Sequence, residues 1–282
     1  MLVGNRSAGT GLGEDLLQEL AGILAAELIL VANHVDVRQA TNGWLATNPQ
    51  GSVVLAAGGG GTLRAVVEGV LGHSEPVRIG GLRLGSGNVI PRRYGIPRDP
   101  RAAARAMRAS IDAHRTRPCA VIRCEFGGQE TPRHGITMCG LGHFGRTSGD
   151  LVRFHARAGE LRRAAARLIP LERLNDAEYV SSFLARMAVA ALVPSSCELV
   201  RCRGHSFRLL AGVVLTTRDR ADLRYHLVPR YGRPLSGRLQ PGEQLSLELA
   251  DRRQTEFFLD EDPELATGAI RITAAGTLDF VA

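Results

Sequence analysis

Short apolar runs alternate with segments of helical spacing over the first third of the chain. Met1 to Gly4 is a brief apolar strand that enters a polar turn, Asn5 to Gly9. From Leu12 to Ala26 apolar residues recur at Leu16, Leu17, Leu20, Ile23 and Leu24, the spacing of one buried helical face. Leu28 to Val37 is strand-like, and Thr41 to Ala46 makes a short helical connection. A β-branched run, Val53 to Ala57, then meets four glycines, Gly58 to Gly61, and a helix that begins at Thr62. Val77 to Leu84 is a further strand, and it ends in Gly85, Ser86, Gly87 and Asn88. This β-α-β-α-β-α-β order predicts an α/β domain with a parallel sheet and flanking helices.

The texture changes farther on. Asp99 to Ala113 reads as a helix rich in Arg and Ala, and beyond Pro118 short strands follow one another. They are expected at Ala120 to Phe126, Gly135 to Cys139, Ala188 to Leu192, Glu198 to Arg203, Phe207 to Thr216, Gln244 to Leu249, Glu256 to Leu259 and Ala269 to Ala274. Between them the Arg-rich stretch from Leu151 to Leu184 is helical in pattern. The reading is therefore two domains: 1–117, α/β, and 118–282, an all-β, sandwich-like domain with a helical insert near 151–184.

Composition narrows the chemistry. The 282 residues carry a formal charge of +7 with no Lys at all. That excludes Schiff-base catalysis and any lysine-assisted phosphate loop. An Arg-only positive charge suits phosphate or an anionic surface, although codon usage rich in G and C produces the same bias. We expect no nucleic-acid partner and at most peripheral membrane contact. Five cysteines, Cys119, Cys124, Cys139, Cys197 and Cys202, form no CxxC pair, so neither a disulfide framework nor a zinc site is expected. The longest apolar run, Leu20 to Ala32, is interrupted by Glu27 and is too short to span a bilayer. A cytoplasmic location fits.

The candidate chemistry lies in the two glycine turns. Glycine leaves backbone N–H groups able to converge on an anion, and a helix start adds partial positive charge. The dinucleotide fingerprint fails because neither Leu63 nor Arg64 is Gly, and a Walker loop fails for want of Lys. What remains is a pair of turns at neighbouring strand ends, Gly58 to Thr62 and Gly85 to Asn88, suited to clamping a polyphosphate.

In order along the chain, NRSAG from Asn5 to Gly9, GGGGT from Gly58 to Thr62, LRLGSGNV from Leu82 to Val89 and DED from Asp260 to Asp262 resemble the motifs of the diacylglycerol-kinase and sphingosine-kinase type of lipid kinases. That family, related in fold to NAD kinases, has NPxSG, GGDGT, PxGTGND and DGE at these places. The run ending at Pro97 and the segment Gly140 to Phe144 add to the likeness. The resemblance implies ATP held by Asn5, Gly9, Gly58, Gly59, Gly60, Gly61, Thr62, Gly85, Ser86, Gly87 and Asn88. It also implies Mg²⁺ and an acceptor hydroxyl organised by acids. Those acids are altered: Gly60 and Val89 stand where the family has Asp, Arg64 and Ala65 where it has Asn-Glu, and Ser236 where an outer metal ligand is usual. No metal ligand is assigned. The first reading is a divergent kinase acting on a lipid or small hydroxylated metabolite in the inter-domain cleft, with Asp260 or Asp262 as base and Arg64 supplying charge. A second is acid-base chemistry without ATP, through Asp260, Glu261, Asp262 or His143. A third is a non-catalytic binder of a nucleotide or phosphorylated ligand. An exposed strand edge in the second domain would also make a homodimer unsurprising.

Overall fold

The structure, a computed structural model, describes residues 1–6, 13–48, 51–85, 88–165, 171–193, 197–249, 254–260 and 262–282. It divides into two compact units. The first comprises Met1–Cys119, Arg218–Arg220 and Thr277–Ala282, the second Ala120–Thr217 and Ala221–Gly276.

In the first unit the chain runs β1 (Leu2–Asn5), α1 (Glu14–Leu24), β2 (Leu28–Val31), α2 (His34–Thr47), β3 (Val53–Gly58), α3 (Gly60–Val70), β4 (Arg78–Arg83), α4 (Val89–Arg93) and α5 (Pro100–Asp112). The strands are parallel in the order β2-β1-β3-β4. Leu2, Val3, Val54, Leu55 and Ile79 are fully or almost fully buried, as strands covered on both faces require. The end of the chain's last strand adds a further parallel pairing, Phe280 opposite Ile79. Phe280 is fully buried and its ring stacks on Tyr94 with centroids 4.5 Å apart. The Tyr94 hydroxyl in turn donates to the Pro118 carbonyl at 2.8 Å.

One expectation fails in this unit. The strand predicted from Leu28 to Val37 stops at Val31, and the helix predicted from Thr41 to Ala46 begins earlier, at His34. The cause is a helix cap. The Asn33 side chain accepts from the Asp36 N–H at 3.0 Å and donates to the Asp36 carboxylate at 2.8 Å, a reciprocal arrangement that starts a helix where alternating valines suggest a strand. The new helix then packs closely on α3. A Cβ at Gly69 would lie 2.7 Å from Thr41 Cβ, so only glycine permits this approach.

The second unit contains β5 (Thr116–Phe126), which starts in the first unit, then β6 (Arg133–Gly135), β7 (Met138–Leu141), α6 (Gly142–Gly145), α7 (Thr147–Ala165) and α8 (Leu171–Leu192). It continues with β8 (Glu198–Cys202), β9 (His205–Thr216), β10 (Leu223–Pro229), β11 (Leu235–Leu239), β12 (Gln244–Leu249), β13 (Thr255–Leu259), β14 (Asp262–Ala266) and β15 (Ala269–Val281). Its strands pair antiparallel in the order β14-β13-β7-β9-β8-β12-β15, with β10 and β11 continuing from β9 and β6 pairing with β5. Alternation sets the core: Leu223, Tyr225 and Leu227 are buried on β10, as are Leu245, Leu247 and Leu249 on β12.

Here too the structure corrects the sequence reading. Ala188 to Leu192, expected as a strand, is the last turn of α8, where three Ala and a Leu carry on a helix already formed. The helical insert runs from Thr147 to Leu192 rather than from 151 to 184, with 166–170 outside the described residues. The strand expected from Gly135 to Cys139 is broken between Gly135 and Met138. Strands β10, β11 and β14 were not anticipated, although β10 alternates buried and exposed residues along its length. No helix among the described residues is long and apolar enough to cross a membrane.

An ion cluster ties α7, α8 and β13 together within this unit. Asp150 accepts from Arg186 at 2.5 and 2.6 Å, and Arg153 links Asp150 to Glu256 at 2.9 and 2.7 Å. Burial pushes the Asp150 carboxyl up, but the hydrogen bonds from Arg186 and Arg153 together outweigh it and hold the group below its ordinary value. The Arg153 hydrogen bond holds Glu256 below its ordinary value as well.

These observations generate two expected outcomes. Phe280→Ala should lower stability by about 3–5 kcal/mol in urea denaturation, because it empties a fully buried aromatic site. The Asp150 and Glu256 carboxylates are favoured in the folded state, so their contribution is complete above the ordinary carboxylate range and is lost as pH falls through the lowered values. The thermal midpoint should therefore fall on acidification from about pH 5 to about pH 3, and fall less steeply in Arg186→Met.

Candidate functional site

Strands β1, β3 and β4 end at one edge of the parallel sheet, and the predicted phosphate-binding residues sit there. Asn5, the last residue of β1, is buried and donates its amide to the Thr62 hydroxyl at 3.2 Å. Gly58 ends β3 directly over that hydroxyl, where a Cβ would lie 2.4 Å from Thr62 Oγ1. Gly59 is the N-cap of α3, with φ −88° and ψ −171°, and as a glycine it supplies no capping side chain. The N–H groups at this helix start thus receive no acceptor from their own N-cap residue, an arrangement that favours an anion.

The second turn touches the first. A Cβ at Gly85 would stand 2.3 Å from the Gly59 Cα, so the two glycine turns meet backbone against backbone. Asn88 holds this second turn in shape. It is buried, sits in the left-handed region at φ 52°, accepts from the Gly85 N–H at 2.9 Å and donates to the Gly85 carbonyl at 2.6 Å. Its amide therefore shapes the loop. Of the other residues proposed for the cradle, Gly9, Ser86 and Gly87 lie outside the described residues.

Arg64 follows one turn into α3. Its side chain is only 5% exposed, and its guanidinium stands 3.6 Å from the Glu68 carboxylate, which also lies 3.9 Å from Arg38 of α2. Two guanidiniums thus share one acid. His34, which the sequence did not single out, packs its ring over Gly61, where a Cβ would lie 2.4 Å from His34 Cε1.

The acidic candidates belong to the second unit. Asp260 is buried and sits in the left-handed region at φ 53°. Its carboxylate accepts from the N–H groups of Ile136, Thr137 and Met138 at 2.5, 2.7 and 3.1 Å, and from the Thr137 hydroxyl. Four donors match the lone-pair capacity of a carboxylate, so this side chain anchors the break between β6 and β7. Asp262 opens β14, half-buried, and pairs with Leu259 across the hairpin; Glu261 between them lies outside the described residues. His143 is fully buried within α6.

The same unit holds a feature with no local sequence signature. Helices α7 and α8 line a cavity of about 650 Å³ with Leu151, Phe154, Ala177, Ala185 and Val189, and Asp150 and Arg186 stand at it as a polar pair. Helical spacing alone did not reveal it, because the lining alternates with charged residues on both helices.

The donor sets decide what can be held. Bare amides, the Thr62 hydroxyl and a helix start fit phosphate oxygens. They do not fit Mg²⁺, which takes carboxylate oxygen and gives up water reluctantly. The elements that build the cradle, β1, β3, α3, β4 and α4, contain one acid, Glu68, and two arginines already engage it. Among the described residues no group of three or more His, Cys, Asp or Glu side chains is placed to hold a metal ion.

Comparison with known proteins agrees with this geometry. Residues 1–123 match the family model described as the diacylglycerol kinase catalytic domain. Among solved structures, a diacylglycerol kinase from Bacillus anthracis str. Sterne aligns over 99% of this chain and 95% of its own, with a TM-score of 0.63 and 12% identity. Two further structures from that strain, described as candidate diacylglycerol kinases, align over 99% of this chain and 95% and 96% of theirs, with TM-scores of 0.67 and 0.64 at 12% identity. None of the curated proteins matches the chain. The resemblance read from the glycine turns is upheld: residues 1–123 are similar to the diacylglycerol kinase catalytic domain, and the structural likeness extends the fold over nearly the whole chain.

The Asp260 anchor gives an expected outcome of its own. Asp260→Ala leaves two buried N–H groups and a partly buried one without their acceptor and should cost about 3 kcal/mol or more in urea denaturation. Asp262→Asn should change stability by less than about 1 kcal/mol.

Proposed function

We propose that the chain is a kinase-like protein whose first unit binds the phosphate groups of ATP and whose terminal phosphoryl group passes to a hydroxyl of a lipid or small metabolite. The observation that carries this reading is the backbone-to-backbone contact of Gly59 and Gly85 beside the uncapped start of α3. A polyphosphate is the ligand whose oxygens such a surface can satisfy without side chains. The match of residues 1–123 to the diacylglycerol kinase catalytic domain supports transfer to an alcohol.

An amphipathic acceptor is supported by the α7–α8 cavity, whose apolar lining is joined by the Asp150–Arg186 pair and by Glu178, Ser181 and Ser182. In this reading Asp262 takes the proton of the acceptor hydroxyl, and Asp260 fixes the hairpin that presents Asp262. Arg64 supplies positive charge close to the phosphates. A second reading, nucleotide binding without transfer, is favoured by one observation: the Asp260 carboxylate is saturated by four donors, which removes one of the two acids available as base.

Calorimetry with ATP tests the shared premise, and Gly59→Ala is the informative variant. A methyl at Gly59 would lie 3.5 Å from the Gly85 Cα, an ordinary contact, so the protein should fold with a stability change below about 1 kcal/mol. The same methyl stands between the two turns and should weaken ATP at least tenfold, about 1.4 kcal/mol. Absence of ATP heat in the unaltered protein would overturn the proposal. Release of ADP on adding diacylglycerol-containing vesicles or short polyols, lost in Asp262→Asn, separates transfer from binding alone.

A further inference from the structure

We infer that the cradle takes its nucleotide as the metal-free polyanion, because the carboxylates of the elements that build and adjoin it are already engaged by other side chains and do not serve a divalent cation. This rests on the nucleotide reading given above and specifies the ionic form of the ligand.

The argument begins with the oxygen donors. Mg²⁺ bound at a phosphate site is normally fixed by one or two protein carboxylates. Across β1, β3, α3, β4 and α4 the single carboxylate is Glu68, and it already faces two guanidiniums, Arg64 at 3.6 Å and Arg38 at 3.9 Å. Recruiting Glu68 to a metal would strip a buried Arg64 of its anionic neighbour, a costly exchange. The adjoining helix offers Asp36, whose carboxylate accepts from the Asn33 amide at 2.8 Å in the cap that starts α2. Nearest the turns, Gly60, Ala65 and Val89 have no side-chain oxygen at all.

The charge balance points the same way. On α2 and α3 the charges of Arg38 and Arg64 are offset by those of Asp36 and Glu68, so the positive end presented at the turns is the partial charge of the α3 start. That charge belongs to the backbone and does not change with pH. Free ATP carries two more negative charges than its magnesium complex and is drawn more strongly to such a surface. A metal would weaken the match.

The test is calorimetric titration with ATP in EDTA and again in excess Mg²⁺. We expect the affinity in EDTA to equal the affinity in Mg²⁺ or to exceed it by up to about tenfold. Binding tighter in Mg²⁺ by more than about threefold overturns the inference while leaving the nucleotide reading in place. No binding in either medium overturns both. Gly60→Asp supplies an independent arm, since an acid in the first turn of a helix is well tolerated. It should weaken ATP in EDTA and make binding depend on Mg²⁺; affinities unchanged in both media would count against the inference.

Discussion

The first unit depends on one close approach, that of Gly59 to Gly85. Two strand ends are brought so near that their turns meet without side chains between them. Everything around the contact serves to keep that surface bare. Asn5 holds the Thr62 hydroxyl beneath Gly58, Asn88 ties its own loop through both polar groups of Gly85, and α3 begins with no side-chain cap. Buried polar side chains are thus spent on loop shape, and main-chain groups are left at the contact. On the proposed nucleotide reading, such a surface would read charge and the spacing of oxygens.

The second unit uses a carboxylate in the opposite manner. Asp260 does for residues 136–138 what a phosphate would do for a glycine turn: it gathers consecutive N–H groups around one anion. The left-handed backbone at Asp260 turns the chain so that β13 and β14 form a hairpin, while its side chain secures the gap between β6 and β7. An acid so fully engaged has little freedom to accept a further proton from a substrate. The conflict between a structural and a chemical role at this position follows from its hydrogen bonds alone.

What could be read from the chain beforehand follows the range of each interaction. The glycine turns were legible because conformational freedom is a property of the residue itself, and the parallel alternation was legible because burial on both faces leaves continuous apolar runs. The start of α2 was misread although its signal is local: Asn33 and Asp36 stand at capping spacing, but the valines between and after them alternate as a strand would. The role of Asp260 was beyond reach, since its partners lie 122 to 124 residues away. Strand β10 was missed although Leu223, Tyr225 and Leu227 alternate with Arg224, His226 and Val228 as a half-buried strand requires. The cavity of α7 and α8 depends on the facing of two helices, which no single helical pattern encodes.

The absence of lysine and the burial of Arg64 belong to one physical picture. A buried lysine near other cations loses its proton readily, and its charge then varies with surroundings. A guanidinium keeps its charge under the same burial and can share a carboxylate with a second guanidinium through several donors. The pair Arg38 and Arg64 around Glu68 is such an arrangement, placed against the helix whose start faces the glycine turns. Where a metal would bring charge that depends on its concentration and on competing ligands, a buried arginine brings charge that is part of the fold. Gly60 and Val89 carry no acid and Arg64 carries a cation, so on the proposed nucleotide reading the turns offer main-chain donors to phosphate oxygens and no carboxylate to a metal.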